Sequence, residues 1–466
     1  SMEGPGIATG DINRDGYSDC FIGGAAGSAG ALYYGAPEGL ARRPSHPVLE
    51  KDHSSEDTDA VLVDVNGNGY RDLLVASGGY AFPPSSFSLA NRLYLNDGKG
   101  GWARSKELMP NGALASTSCI RHADYDGDGD QDLFIGTRAV ALQYGVPADS
   151  YLLQNDGKGH FTDVSARLAP SLKKIGMVTD AVWLDYDRDG DPDLAVAGEW
   201  MPIRLLENQD GQLIPVADKA GLQNTRGFWN TIEAADLDDD GYPELVAGNL
   251  GQNTFFRAST DQPVRMHVND FDRNGDIDHL LSVYEAGKSY PTPTKKEITR
   301  QMPYLLKKYL KHADYSDQSV ENIFTEAQLK SSILLKTEHT ASTVFWNDAG
   351  AFKAQPLPEE AQLSPVYAIL IEDIDGDGVK DLLLGGNLHM AKPQTGIYAA
   401  SRGLMLRGIG RREWQVVPAI RSGFALDGQI RDIAQLNAPG QNQLILVARS
   451  DDEMAILKRT KSDILK

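Results

Sequence analysis

A nine-residue acidic pattern recurs seven times along this chain, and no other feature restricts its fold as strongly. The copies read DINRDGYSD from Asp11, DVNGNGYRD from Asp64, DYDGDGDQD from Asp124, DYDRDGDPD from Asp185, DLDDDGYPE from Asp236, DFDRNGDID from Asp270 and DIDGDGVKD from Asp373. Each has oxygen-bearing side chains at positions 1, 3, 5 and 9 and glycine at position 6. Asp and Gly also crowd into ordinary turns, but seven copies at one internal spacing set these apart. A loop of this kind suits one hard cation: calcium takes about 6–8 oxygen ligands, and a glycine permits the sharp turn between them.

Up to seven calcium ions are therefore expected. Their ligands are Asp11, Asn13, Asp15 and Asp19; Asp64, Asn66, Asn68 and Asp72; Asp124, Asp126, Asp128 and Asp132; Asp185, Asp187, Asp189 and Asp193; Asp236, Asp238, Asp240 and Glu244; Asp270, Asp272, Asn274 and Asp278; and Asp373, Asp375, Asp377 and Asp381. The loops from Asp124, Asp185, Asp236 and Asp373 carry four carboxylates each and should bind most tightly. Asn66 and Asn68 weaken the second site, while Asn13 and Asn274 each remove one charge from theirs.

These positions hold 24 of the 65 acidic residues, so much of the net charge of -20 is ligand rather than solvating surface. Seven bound ions would bring the net to about -6. The acidity argues against a nucleic-acid partner, whose phosphates are bound by Lys and Arg. Cys20 and Cys119 lie on separate apolar runs and read as buried free thiols. No run of about 20 apolar residues predicts a transmembrane helix. The opening Ser1-Met2, close ahead of the first loop, reads as a tag remnant on a piece of a longer precursor.

Around each acidic loop lies a repeated unit. An alternating apolar run precedes it, a second run such as DLFIG or DLLVA follows, and a third run commonly ends in an Asn-Asp-Gly turn, as in RLYLNDGKGGW, YLLQNDGKGHF and TVFWNDAGAF. Asn-Asp-Gly between apolar runs is a hairpin signal. The unit is four short antiparallel strands, A to D, with the acidic loop joining A to B. Such units cannot bury their faces alone, and radial closure removes their exposed edges.

The expected fold is all-β, a β-propeller of seven or eight four-stranded blades, with eight favoured, over one domain spanning 1–466. An open solenoid is the competing arrangement. The unit at Asp236 is followed too soon by the loop at Asp270 and is expected to lack its outer strand. An eighth, degenerate unit, IRDIAQLNAPGQNQLILVA, offers Gln435, Asn437, Pro439 and Gln443 in place of ligands, with Gly440, and should bind no calcium. A helical insert is expected over 291–335. Ile298, Met302, Leu305, Leu306, Tyr309 and Leu310 recur at helical spacing, Pro303 forces a break, and Lys308 and Lys311 lend a basic face.

These residues resemble the FG-GAP or VCBS repeats of integrin α-subunit propellers and many secreted bacterial proteins. GEWMPI from Gly198, the insert and LSPVYAILIEDIDGDG from Leu363 are similar to a group of Bacteroidota surface proteins related to cartilage acidic protein and often carrying an ASPIC/UnbV module. No stretch here resembles that module. The resemblance implies calcium between strands A and B, with a backbone carbonyl from position 7 as a further ligand. It also implies an extracellular or outer-membrane-associated location within a larger surface protein.

Calcium on the A–B loops leaves recognition to the opposite face, where the B–C and D–A connections emerge. Candidate ligand residues there are Tyr80, Trp200, Arg226, Trp229, Asn249, Asn253 and His389, because aromatics among Arg, Asn and His suit a glycan or a protein anchor. Trp200 and Trp229 could instead plug the central channel. The favoured function is a calcium-stabilised surface binding or scaffold module. A polysaccharide lyase or hydrolase is the alternative, with His389 and Arg226 as its nameable pair, and an integrin-like adhesion module is the third reading. No paired carboxylates stand clear of the loops, so catalysis is the less favoured expectation.

Overall fold

A computed structural model describes residues 4–459 apart from 38, 43–45, 80–81, 84, 107–114, 393–395 and 437–442. Among the described residues the strands form eight antiparallel sheets. Seven of these stand in a ring. Their innermost strands are Ile7–Gly10, Asp57–Val63, Ser116–Ala123, Met177–Leu184, Thr231–Ala235, Val366–Glu372 and Gln429–Leu436. Each touches the next in that order, and the last touches the first. Closure turns the inner edge of every blade onto the central channel, where it is short and protected.

Strand B of each blade is buried on both faces. All eight residues of Asp132–Ala139 and all six of Asp72–Ser77 are buried. The core accordingly lies between neighbouring blades rather than inside any one of them. Leu184, Ala195 and Leu205 of the fourth blade, for example, pack with Ile232, Leu245 and Phe345 of the fifth. The two cysteines are free and buried in this core, as expected.

The fifth blade corrects the expected bookkeeping of repeats. Its strands are Thr231–Ala235, Glu244–Gly248, Thr343–Asn347 and Phe352–Pro356, so it is complete, and strands C and D arrive about a hundred residues after B. The eighth sheet occupies the gap. It runs Lys288–Pro291, Asp278–Glu285, Val264–Asn269, Ile333–Thr337 in spatial order and does not join the ring. The sheet count of eight thus corresponds to seven blades and one inserted sheet. The seventh blade has three described strands, and its A–B connection, including Asn437, Pro439 and Gly440, lies outside the described residues.

The inserted sheet is the middle tier of a stack. One face sets Val264, Met266 and Val268 against Ala139, Met177 and Trp200 of the third and fourth blades. Phe271 and Leu280 pack instead against the helical segment through Ile298, Met302, Leu305 and Tyr309. That segment breaks at Pro303 into the helix Lys295–Gln301 and the single 3₁₀ turn Pro303–Lys307. Short helices Ala313–Ser316, Val320–Ile323 and Glu326–Lys330 complete it. Of the residues predicted to share the buried face, Leu306 and Leu310 instead lie 50% and 77% exposed, because the 3₁₀ turn Pro303–Lys307 and the non-helical residues after it do not keep the helical register.

Candidate metal loops and the opposite face

All seven acidic loops adopt one geometry. The first carboxylate accepts a hydrogen bond from the position-6 glycine amide at 2.6–3.1 Å in every copy. Two residues per loop are left-handed: the glycine, and position 4, where Arg14, Arg188, Asp239 and Arg273 have φ of 59–65°. The second left-handed position is also signalled in the sequence, since the other three copies place Gly67, Gly127 and Gly376 there. Position 9 opens strand B and is buried. In the fourth loop Asp193 accepts from the amide of Tyr186 at 3.1 Å and from that of Asn208 on strand C at 2.7 Å.

In five loops the carboxylates at positions 1, 3 and 9 bring ligand atoms within 4.8 Å of one another: Asp124, Asp126, Asp132; Asp185, Asp187, Asp193; Asp236, Asp238, Glu244; Asp270, Asp272, Asp278; and Asp373, Asp375, Asp381. Buried carboxylate oxygens without any hydrogen-bond partner point to an ion. They include Oδ1 of Asp124, Asp185, Asp187, Asp236 and Asp238 and Oδ2 of Asp132. Such oxygens are costly unless a donor or a cation meets them. The five clusters fit calcium, whose ligands are hard oxygens. In the first two copies Asn13 and Asn66 take the position of the second carboxylate. Position 5 is turned to the loop backbone in this geometry, as where Asp189 Oδ1 accepts from the Asp191 amide at 3.0 Å.

Burial first, then neighbouring carboxylates, pushes position 9 up, to about 7 for Asp132, Asp193 and Glu244 and about 6 for Asp19, Asp72 and Asp381, although backbone amides oppose the rise. The loops also differ in what stands beside them. Gln154 Nε2 donates to Asp126 at 2.5 Å, Arg412 Nε to Asp238 at 2.8 Å, and Arg407 lies 2.6 Å from Asp375 and 2.7 Å from Asp377. The loop at Asp373 therefore holds a tethered cation beside two of its carboxylates, which carboxylate count alone does not reveal.

A model of the FG-GAP-like repeat matches residues 64–135 and 185–247, two stretches that each run from one acidic loop through the next, Asp64 to Asp132 and Asp185 to Glu244. These two stretches are similar to FG-GAP-like repeats. Integrin alpha-3 of Cricetulus griseus is 24% identical over 261 residues, which is 50% of this chain but 25% of that protein, so the chain spans about a quarter of this relative's length. Among solved structures, Saccharomyces cerevisiae Sqt1 superposes with a TM-score of 0.47 at 11% identity, covering 98% of this chain and 96% of that one. The Dos1 propeller superposes with a TM-score of 0.43 at 8% identity, covering 98% and 93%.

The Asn that opens the turn after strand C, in Asn-Asp-Gly at Asn96 and Asn155 and in the longer NQDG at Asn208 and NDAG at Asn347, has a second task beyond shaping a hairpin. Asn96, Asn155, Asn208 and Asn347 each reach into the acidic loop of the preceding blade, where Nδ2 donates to the carbonyls of Ile12, Val65, Tyr125 and Tyr186 at 2.6–3.0 Å. A second bond from the same nitrogen holds the carbonyl before position 9 in the Asn's own blade at 3.1–3.2 Å. The second to fifth blades thereby each clamp the metal loop of the blade before.

The residues expected to bind ligand on the opposite face are mostly engaged in structure. Trp229 is 1% exposed, packs on Phe345 and donates Nε1 to the Thr225 carbonyl at 2.7 Å. Trp200 is 7% exposed beneath the inserted sheet, edge-on to Phe228, with Nε1 donating to Tyr144 Oη at 3.0 Å. Its φ of 62° is strained for a bulky residue, and the strand bulges there between Glu199 and Met201. Asn249 is fully buried, accepting from the amides of Phe228 and Leu250. Asn253 is exposed and donates to the Leu363 carbonyl at 3.1 Å. Tyr80 lies outside the described residues.

Arg226 and His389 do not form a pair. The Arg226 guanidinium faces Glu338 at 3.5 Å, whereas His389 is exposed and its amide is held by Gln429 at 2.9 Å. Neither tryptophan plugs the channel. Its middle is crossed instead by an ionic layer: Arg121, from the third blade, reaches Asp59 at 2.5 Å and Asp180 at 2.5 Å, and Glu233 and Asp432 line the same space. Burial, reinforced by Asp180 and Asp432, pushes Glu233 up to about 8, and burial pushes Asp432 up to about 7.

Proposed function

We propose that the chain is a secreted or cell-surface binding and scaffold module, held rigid by calcium on one face and presenting the opposite face to a protein ligand. The observation that supports this reading is the placement of exposed apolar side chains. Phe87 (76%), Phe255 (51%), Met390 (75%) and Ile397 (64%) all lie on B–C connections, and Ile420 (95%) lies on a D–A connection. Those connections emerge away from the metal loops. Large exposed apolar residues gathered on one face favour a protein partner. Of the aromatics expected to stack on a sugar ring, Trp200 and Trp229 are committed to packing. Dependence on weak calcium loops suits an extracellular setting, where such modules work at about 10⁻⁴–10⁻³ M calcium.

The test is photo-crosslinking from a probe placed at Phe255 or Met390, compared with one at Asp239 on the metal face, against membrane and secreted proteins. Crosslinks confined to the first two positions support the reading. Glycan-array binding that Phe255→Ser and Met390→Ser leave intact, with no protein captured, would overturn it. Release of unsaturated uronates from a polysaccharide would instead establish a lyase.

A further inference from the structure

We infer that the helical tier of the insertion is a docking surface for an anionic lipid bilayer. In the run LLKKYLK over 305–311, Leu305 and Tyr309 are buried against the inserted sheet. That leaves Leu306 with Leu310, and Lys307 with Lys311, as outward pairs four residues apart, with the two leucines 50% and 77% exposed. Lys307, Lys311 and nearby Arg300 are exposed and have no ion-pair partner among the described residues. Lys308, by contrast, is consumed structurally, its Nζ donating to the Asn322 carbonyl at 2.7 Å.

The tier over 295–330 holds seven Lys or Arg against five acids, a balance of +2, with Asp314 accepting from the Lys311 amide at 2.8 Å, and its positive charge is concentrated in its first half. Residues 295–312 hold six Lys or Arg against the single acid Glu297, a balance of +5, so the remainder carries -25 of the total of -20. Glu297 is itself occupied by capping Thr294 and by Lys392 at 3.6 Å. The patch sits on the outermost tier, beyond the ring and the inserted sheet, and it projects leucines rather than enclosing a groove. Apolar tips flanked by lysines suit a deformable anionic interface, where each basic residue strengthens binding by about fivefold.

The intact calcium-loaded chain should co-sediment with vesicles of equal parts phosphatidylcholine and phosphatidylglycerol, and not with phosphatidylcholine alone. Lys307→Glu with Lys311→Glu should weaken binding by at least about 25-fold, and Leu306→Ser with Leu310→Ser by about tenfold. Both variants should keep the native melting temperature, since none of the four side chains is in the core. Equal binding to both vesicles, or no binding to either, overturns the inference. So does binding that survives both variants, which would belong to calcium bridging at the acidic loops. Capture of poly-glutamate without vesicle binding would assign the patch to an acidic protein and also overturn it.

Discussion

Removing calcium should lower the melting temperature of this protein by roughly 13 °C. Five clusters of three converging carboxylates are present. At calcium a hundred times above each dissociation constant, a site adds about 2.7 kcal/mol to stability, so five independent sites add roughly 13 kcal/mol. The unfolding entropy is about 2.1 cal/mol/K per residue, hence about 1 kcal/mol/K for a chain of 466 residues. The ratio gives the shift. Scanning calorimetry in calcium and in excess EGTA measures it, and magnesium, which prefers a smaller octahedral shell, should restore little. Asp185→Asn should remove about one fifth of the increment.

The increment also carries a pH signature. The buried position-9 carboxylates at about 6 to 7 favour protons in the metal-free fold. Their folded values lie above the unfolded ones, so the contribution of these groups to the stability of the metal-free chain is greatest at low pH and is lost as pH rises from about 4 through 7. Calcium binding needs the deprotonated form, so the calcium increment grows over that same window. A transition that EGTA moves by less than about 2 °C at pH 7.5, or a calcium increment flat from pH 5 to 8, would refute the metal assignment.

Four further outcomes follow from the same geometry. Arg407→Ala should raise calcium affinity at the loop from Asp373, read by terbium luminescence, because it withdraws the cation beside Asp375 and Asp377. Asn208→Ala orphans two carbonyls and should destabilise by about 2–4 kcal/mol in denaturant titration; the exposed Asn253→Ala should stay within about 0.5 kcal/mol. Trp200→Ala removes the floor beneath the insertion and should cost about 3–5 kcal/mol, with limited proteolysis opening first near 249–263. Glu233→Gln should stabilise the fold at pH 8 and leave it unchanged near pH 4, since the native carboxyl, at about 8 when folded, destabilises only above its unfolded value.

The metal loops were legible because everything they need is local. Five ligand positions, the glycine turn and the strand that follows all fall within a dozen residues, so composition and spacing suffice. The seven-fold recurrence carried the propeller for the same reason, and Pro303 announced the break in the insert. The number of blades was not legible. Seven loops and a degenerate unit count to eight, but the loop at Asp270 belongs to a sheet outside the ring, and the fifth blade recovers its third strand, Thr343–Asn347, across that insertion. Repeats read along a chain give no sign of which neighbour in sequence is a neighbour in space.

The same insertion decided the fate of the aromatics. Trp200, at the end of strand Asp193–Met201, is buried and Phe228, on the short strand paired with it, is partly buried, because the apolar face of Val264, Met266 and Val268 packs over them. Likewise, Asn208 was visible as a turn residue, but its bonds to Tyr125 exist only once the third and fourth blades are side by side. Local chemistry was thus written in the order of residues, whereas burial, blade count and the choice of exposed face depended on which surfaces closure brought together.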